Sequence, residues 1–164
     1  MRNVISFTAI FLSALLLISG CRRKEPAQID NSAIVRKAIA DQLNKKPDEL
    51  TTEDYEKTTV LDLSGTQVSD LASVKELKNL QRLDLRGTAV SDLTPIKELT
   101  GLQWLDLWDT KVSDLSPLKA LISLQFLRLY ETKVSDLTPI KELKGLPTCN
   151  GLFLSTRRYL TLRR

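Results

Sequence analysis

Histidine is absent from the 164 residues. Its absence removes imidazole acid–base chemistry, the Ser-His-Asp arrangement and every metal site that needs a histidine ligand. Cysteine is scarce: Cys21 and Cys149 are the two in the chain, and a disulfide between them is formally allowed. Aromatic residues make up only 5%, so any place where they gather is informative. A basic stripe is missing too. The formal charge is +4, yet residues 59–146 hold 11 Lys/Arg against 12 Asp/Glu. The excess lies at the ends, in Arg2, Arg22, Arg23 and Lys24 in front and Arg157, Arg158, Arg163 and Arg164 behind. That distribution argues against nucleic acid as a partner. With 42% hydrophobic and 27% charged residues, the composition is that of an ordinary globular chain, and the length suits one modest domain.

Residues 1–20 read as an address. Arg2 precedes an apolar stretch from Val4 to Ile18, which is shorter than the about 20 residues of a membrane-spanning helix. Small residues follow, the order of a secretory signal peptide, with a one-pass anchor as the alternative. Ile18-Ser19-Gly20-Cys21 resembles the lipobox of bacterial lipoproteins. The resemblance implies cleavage after Gly20, diacylglycerol on the Cys21 thiol and acylation of the new amine. The lipid would anchor the chain, each buried methylene adding about 0.8 kcal/mol of membrane affinity. Arg22, in place of Asp, implies the outer membrane or cell surface as destination. The other reading is a plain secreted protein with an unpaired Cys21. Residues 21–28 then form a charged tether containing Pro26, whose Arg22, Arg23 and Lys24 either touch anionic headgroups or act as a solvated spacer.

Self-similarity dominates the rest. Four ungapped units of 22 residues begin at Thr59, Gln81, Gln103 and Gln125 and fill residues 59–146. Each opens with an L-x-L segment (Leu61/Leu63, Leu83/Leu85, Leu105/Leu107, Leu127/Leu129), the alternation of a half-buried strand. Each continues as V-S-D-L-x-P-[IL]-K-x-L, with capping residues ahead of apolar positions three apart. Asp92 or Thr94 is placed to cap a short helical turn, and Pro95, Pro117 and Pro139 suit its first position; the first unit has Ser73 there instead.

The pattern Leu80-x-x-Leu83-x-Leu85-x-x-Thr88, repeated from Leu102 to Thr110 and from Leu124 to Thr132, resembles the leucine-rich-repeat family, and the VSDL phase resembles internalin-like bacterial repeats. The resemblance implies an α/β solenoid: a horseshoe with a parallel concave sheet, short helical or 3-10 turns on the convex side and a helical N-terminal cap. Thr66, Thr88, Thr110 and Thr132 replace the family's usual buried Asn. A hydroxyl offers fewer bonds than an amide but still reaches backbone. These four are expected to form a buried structural ladder at the bend after each strand.

Residues 29–58 read as that cap. Ile34, Ala38, Ile39 and Leu43 fall on one side of a helix started by Asn31 or Ser32 and broken by Pro47. Thr51 and Asp54 fit a loose capping box, Leu50 and Tyr55 are placed to cover the first repeat, and Thr52-Glu53-Asp54 stands where internalin-like caps carry a similar element. Residues 147–164 are less orderly. A fifth repeat would put its first strand leucine at Cys149, and Leu152-Phe153-Leu154 echoes a strand three residues late. The segment reads as a degenerate last strand with a basic tail, or as an array cut short. Cys149 reads as a small buried hydrophobe rather than a reactive thiol.

Alternation places the leucines inside and the residues between them on the concave surface. The outward columns are Val60, Arg82, Trp104, Phe126; Asp62, Asp84, Asp106, Arg128; and Ser64, Arg86, Trp108, Tyr130, flanked by Gly65, Gly87, Asp109, Glu131. Trp104, Trp108, Phe126 and Tyr130 cluster there beside Arg128, the composition of a protein hot spot or a sugar platform. Arg82 and Arg86 are expected to offset the aspartate ladder. One carboxylate per strand beside arginines is a poor calcium cage and no glycosidase pair. The ligand-binding candidates are thus Trp104, Trp108, Phe126, Arg128, Tyr130, Arg82, Arg86 and Asp106, with no catalytic residue, metal or cofactor. The reading is a non-enzymatic module outside the cytoplasm, tethered to the bacterial envelope by lipid on Cys21 and binding a protein or glycan through its concave face. The alternative is a structural envelope component that self-associates at its open C-terminal edge.

Overall fold

The computed structural model describes residues 29–146 and the strand residues Leu152 and Phe153. The segments read as signal peptide and tether, with Cys21, Cys149 and the basic C-terminal residues, lie outside the described residues. Five short parallel strands, β1 (Val60–Asp62), β2 (Arg82–Asp84), β3 (Trp104–Asp106), β4 (Phe126–Arg128) and β5 (Leu152–Phe153), form one sheet in sequence order. The first four pair with an offset of one repeat, Leu61 on Leu83, Leu83 on Leu105 and Leu105 on Leu127. At β5 the register departs: Leu152 pairs with Leu127, where the period assigns residue 149. This is the architecture of a leucine-rich-repeat solenoid, with 3-10 turns at Ala72–Glu76, Thr94–Ile96, Ser116–Ala120 and Thr138–Ile140 on the side opposite the sheet.

One repeat shows how the sequence makes the shape. Leu83 and Leu85 point inward from β2, and Val90, Leu93, Ile96, Leu99 and Leu102 point inward from the return path; none is more than 1% exposed. No single turn of chain could bury these side chains alone, so each repeat seals against its neighbours. The return begins with an Asx turn rather than a side-chain cap at Thr94: the Asp92 carboxylate accepts the Thr94 amide at 2.8 Å, and Asp114 and Asp136 accept Ser116 and Thr138 at the same distance. Side-chain hydrogen bonds from Thr94, Ser116 and Thr138, and after them these amide bonds, hold all three carboxyls below their usual range. Pro95 follows at the second position of the 3-10 turn, where its missing N–H costs nothing.

The bend after each strand is closed by threonine. The hydroxyls of Thr66, Thr88, Thr110 and Thr132 donate to the carbonyls of Leu63, Leu85, Leu107 and Leu129 at 2.7–2.9 Å. The bonds run within each repeat, not along the column. Thr88 and Thr110 are buried, whereas Thr66 and Thr132, at the ends of the row, are half-buried.

The N-terminal cap is α1 (Asn31–Leu43), a 3-10 turn (Pro47–Glu49) and α2 (Thr52–Lys57). Two expectations are corrected here. Asp30, not Asn31 or Ser32, caps α1, accepting the Ala33 amide at 3.0 Å. Asn31 instead reaches the first repeat, its side-chain oxygen accepting the amides of Ser69 at 2.8 Å and Asp70 at 3.2 Å. Val35, Ile39 and Ala40 are the buried face of the helix, while Ile34, Ala38 and Leu43 sit half-buried at its shoulders. The helix ends before Pro47, at Asn44 in the left-handed conformation with φ 52°. At α2, Asp54 accepts the Thr51 amide at 2.8 Å and takes both its oxygens to Lys45 Nζ at 2.7 and 2.9 Å. The Lys45 contact is the main reason its carboxyl falls to about 2.

Candidate ligand-binding face

Strands β1 to β4 are only three residues long, so each presents two outward side chains before the chain bends. Beyond them a rim residue leads into the turn, and the rim is tied sideways by backbone bonds. Gly65 donates to the Arg86 carbonyl at 2.7 Å, Gly87 to Trp108 at 2.9 Å and Asp109 to Tyr130 at 2.9 Å. The face is therefore a rigid grid of three columns.

The first column is a stack. The Arg82 guanidinium lies 3.7 Å above the Trp104 ring centre, and Trp104 lies on Phe126 with centroids 5.0 Å apart and planes 6° from parallel. Both faces of the Trp104 indole are thus occupied, and Trp104 and Phe126 are half-buried. The expected exposed cluster of four aromatics is corrected to two. Trp108 and Tyr130, each 42% exposed, are the aromatics that face solvent. Adjacent outward positions on strands spaced about 4.8 Å apart bring rings into contact when both lean along the sheet, and Trp104 and Phe126 do so.

The second column is not an outward row of repelling carboxylates. Asp62 is exposed, but Asp84 is 2% and Asp106 0% exposed. Arg86 clasps Asp84 with Nε and Nη2 at 2.8–3.0 Å and stands 3.7 Å from Asp106. Arg128 Nη1 bonds Asp106 at 2.7 Å while its guanidinium lies 5.5 Å from the Phe126 ring centre. Arg86 thus offsets the ladder as expected. Arg82 makes no ion pair among the described residues; Arg128 takes that place. Burial pushes the Asp106 carboxyl up, against the Trp108 amide and Arg128, which favour its charge. Asp106 has no exposed surface with which to touch a ligand, so its part is to hold Arg128 and the Trp108 backbone.

The rim column departs between repeats. Gly65 and Gly87 have φ 65°, and Asp109 and Glu131 occupy the same left-handed conformation at 51° and 55°. A residue with a Cβ bears about 1–2 kcal/mol there that glycine does not. In the sequence these residues form a flanking column, and the Gly-Gly-Asp-Glu succession is the signal there that the occupant of one backbone conformation changes. Ser64, Gly65, Arg86, Gly87, Trp108 and Asp109 line a shallow groove of about 340 Å³ along this rim. A wider groove of about 940 Å³ separates α1 from β1, walled by Ile34, Ala38, Val60 and Asp62. No group of three or more His, Cys, Asp or Glu among the described residues could hold a metal ion.

No family model matches the chain, and no curated protein does. Solved structures do. Internalin C2 of Listeria monocytogenes is 28% identical with a TM-score of 0.69 over 74% of this chain and 54% of its own. A second internalin of that organism has the same identity and TM-score over 79% of this chain and 38% of its own. A leucine-rich-repeat protein of Leptospira interrogans is 26% identical with a TM-score of 0.51 over 60% of this chain and 27% of its own. The described chain is a leucine-rich-repeat solenoid. Its fold is related to that of the internalins, and it spans about half or less of the length of these structures.

Proposed function

We propose that this solenoid is a non-enzymatic binding module that works outside the cytoplasm and recognises a protein or glycan on its concave face. The observation that carries the reading is the pair Trp108 and Tyr130. In a chain with 5% aromatics, two large rings stand exposed side by side on a rigid rim, while the other two are engaged in a stack beneath Arg82. Exposed aromatics over a well-ordered base are the usual anchors of an interface. The candidate contact residues are then Trp108, Tyr130, Arg86 and Arg82, with Trp104, Phe126, Arg128 and Asp106 supporting them. The relation to internalin structures supports a binding scaffold and an extracytoplasmic setting.

The test is capture from envelope and host-cell extracts by the immobilised protein. Replacing Trp108 and Tyr130 together by Ser should abolish capture and leave the circular dichroism unchanged. Replacing Trp104 by Ser should instead lower thermal stability, by about 1–3 kcal/mol, because it removes a stacked pair and a cation–π contact. Capture that survives the Trp108/Tyr130 change sinks the reading.

Tethering to the envelope by lipid on Cys21 belongs to the same proposal and rests on the Ile18–Cys21 pattern. Radiolabelled palmitate should enter the wild-type chain and not a Cys21→Ala variant. A second reading, self-association at the C-terminal edge, draws on β5, which pairs through two residues, and on Val134, Leu137, Ile140 and Leu143, at 4–7% exposure against 0–1% for the matching positions of inner repeats. Sedimentation would then show oligomers that grow with concentration and vanish when residues 147–164 are removed.

A further inference from the structure

The concave face and its rim carry five carboxylates, Asp62, Asp84, Asp106, Asp109 and Glu131, against three guanidinium groups, Arg82, Arg86 and Arg128. The face is therefore net −2 in a chain whose total is +4. The charges are not spread evenly. Asp84 and Asp106 are buried and matched by Arg86 and Arg128. Arg82 is turned onto Trp104. What stays exposed at the rim of the last two repeats is Asp109 and Glu131, which form no ion pair among the described residues, next to the exposed rings of Trp108 and Tyr130.

We propose that Trp108–Asp109 and Tyr130–Glu131 are two adjacent receptors for the Lys or Arg side chains of a basic protein segment. The proposal rests on the concave-face reading and names the chemistry of its partner. An alkylammonium or guanidinium group gains from an aromatic face and from a carboxylate at once, since the ring quadrupole and the anion attract the same charge. A neutral sugar would stack on the rings and donate hydroxyls to the carboxylates but gain no net charge attraction from them, and an acidic partner would be repelled. The two receptors are held side by side by the Asp109 amide bonded to the Tyr130 carbonyl at 2.9 Å, so they fit consecutive basic side chains on one face of an extended segment. Beside them the rim falls away at Gly65 and Gly87, where no side chain stands. A Cβ built at Gly65 would meet nothing within 4 Å, and one at Gly87 only the Gly65 backbone at 3.9 Å. The groove of about 340 Å³ over these glycines leaves room for the partner's backbone to run on across the rim. The early repeats thus offer Gly65 and Gly87 where the partner passes, beside an Arg86 whose charge is already matched by Asp84, and the later ones offer ring and carboxylate where it is gripped.

The test uses three probes on the full chain, followed by amide and indole shifts in solution: an acetylated, amidated Lys-Gly-Lys-Gly-Lys peptide, its Glu counterpart, and chitohexaose as a neutral glycan. The basic peptide should give saturable shifts at the Asp109 and Glu131 amides and the Trp108 indole, and the other two should not. Joint Asp109→Asn and Glu131→Gln substitution should weaken that binding by about tenfold or more, and added salt should weaken it further. Asp109→Gly with Glu131→Gly should do the same without loss of fold, because the first two repeats already carry glycine there. Equal affinity in these variants, or equal shifts from the acidic peptide, would overturn the proposal. Shifts at the rim from chitohexaose alone would overturn it while leaving the concave-face reading standing. If no probe moves any concave-face amide, the cation receptor is wrong, and capture by the unaltered protein decides separately whether the face binds at all.

Discussion

The first two repeats and the last two share one interior and differ on the outside. Inside, Leu61, Leu83, Leu105 and Leu127 are equivalent and fully buried. Outside, Val60, Ser64 and Gly65 in the first repeat become Phe126, Tyr130 and Glu131 in the fourth. The early repeats are also braced: Asn31 bonds to Ser69 and Asp70, and the Asn79 side chain donates to the Glu56 carbonyl at 2.8 Å. The cap therefore serves the first repeat's stability, while the later repeats present rings and carboxylates on a rim that glycine would hold with less strain. Duplication preserves what the core requires and leaves the outward columns free to diverge, so the columns that break the pattern are the ones that point to function.

Breaking the shared interior should have the largest effect. Leu105→Ala, at the centre of the stack, should cost about 3–5 kcal/mol in denaturant unfolding. The same change at Leu143, which is 4% exposed on the last repeat, should cost less. Next comes the buried ion pair of the later repeats. Arg128→Met leaves Asp106 with the Trp108 amide and the more distant Arg86 at 3.7 Å, and should cost about 3 kcal/mol at neutral pH. The loss should shrink on acidification. Asp106 is pushed above its ordinary 3.8, so the folded form takes up its proton first, and the penalty is absent below that value and grows as pH rises through the Asp106 titration.

The rim should respond with opposite signs in the two halves. Asp109→Gly and Glu131→Gly should each stabilise the protein by about 1 kcal/mol, and Gly65→Ala or Gly87→Ala should each destabilise it by about 1–2 kcal/mol, read as shifts in Tm. Equal signs at all four positions would show that backbone strain does not set the rim's stability. The smallest effect belongs to the cap. Asp54, held near 2 by Lys45 and the Thr51 amide, supplies stability that is present above pH 3.8 and lost as pH falls toward 2. Asp54→Asn should lower Tm at pH 7 and flatten the acid side of the curve over that window.

The period, the inward leucines, the 3-10 returns and the helical cap were legible because burial repeats every 22 residues and leaves a trace at each copy. The start of β5 at Leu152 was legible as well, from the Leu-Phe-Leu echo. The outward surface was less so. Alternation says that Arg82 and Trp104 leave the sheet on the same side, but whether Arg82 turns to an aspartate or onto a ring depends on which neighbour is already satisfied. Alternation turns Asp84 and Asp106 outward as well, yet they are buried, because Arg86 and Arg128 fold over them. Asn31 has the position and chemistry of a local cap, and no local pattern shows that Ser69, 38 residues away, claims its side chain.

Hydrogen exchange of the protein with and without its captured partner tests the binding face most directly. Slowed exchange should fall on residues 104–109 and 126–131, with the 3-10 turns Thr94–Ile96 and Ser116–Ala120 and helix α1 unchanged. Slowing confined to those turns or to α1, with the rim of the last two repeats unaffected, would contradict it.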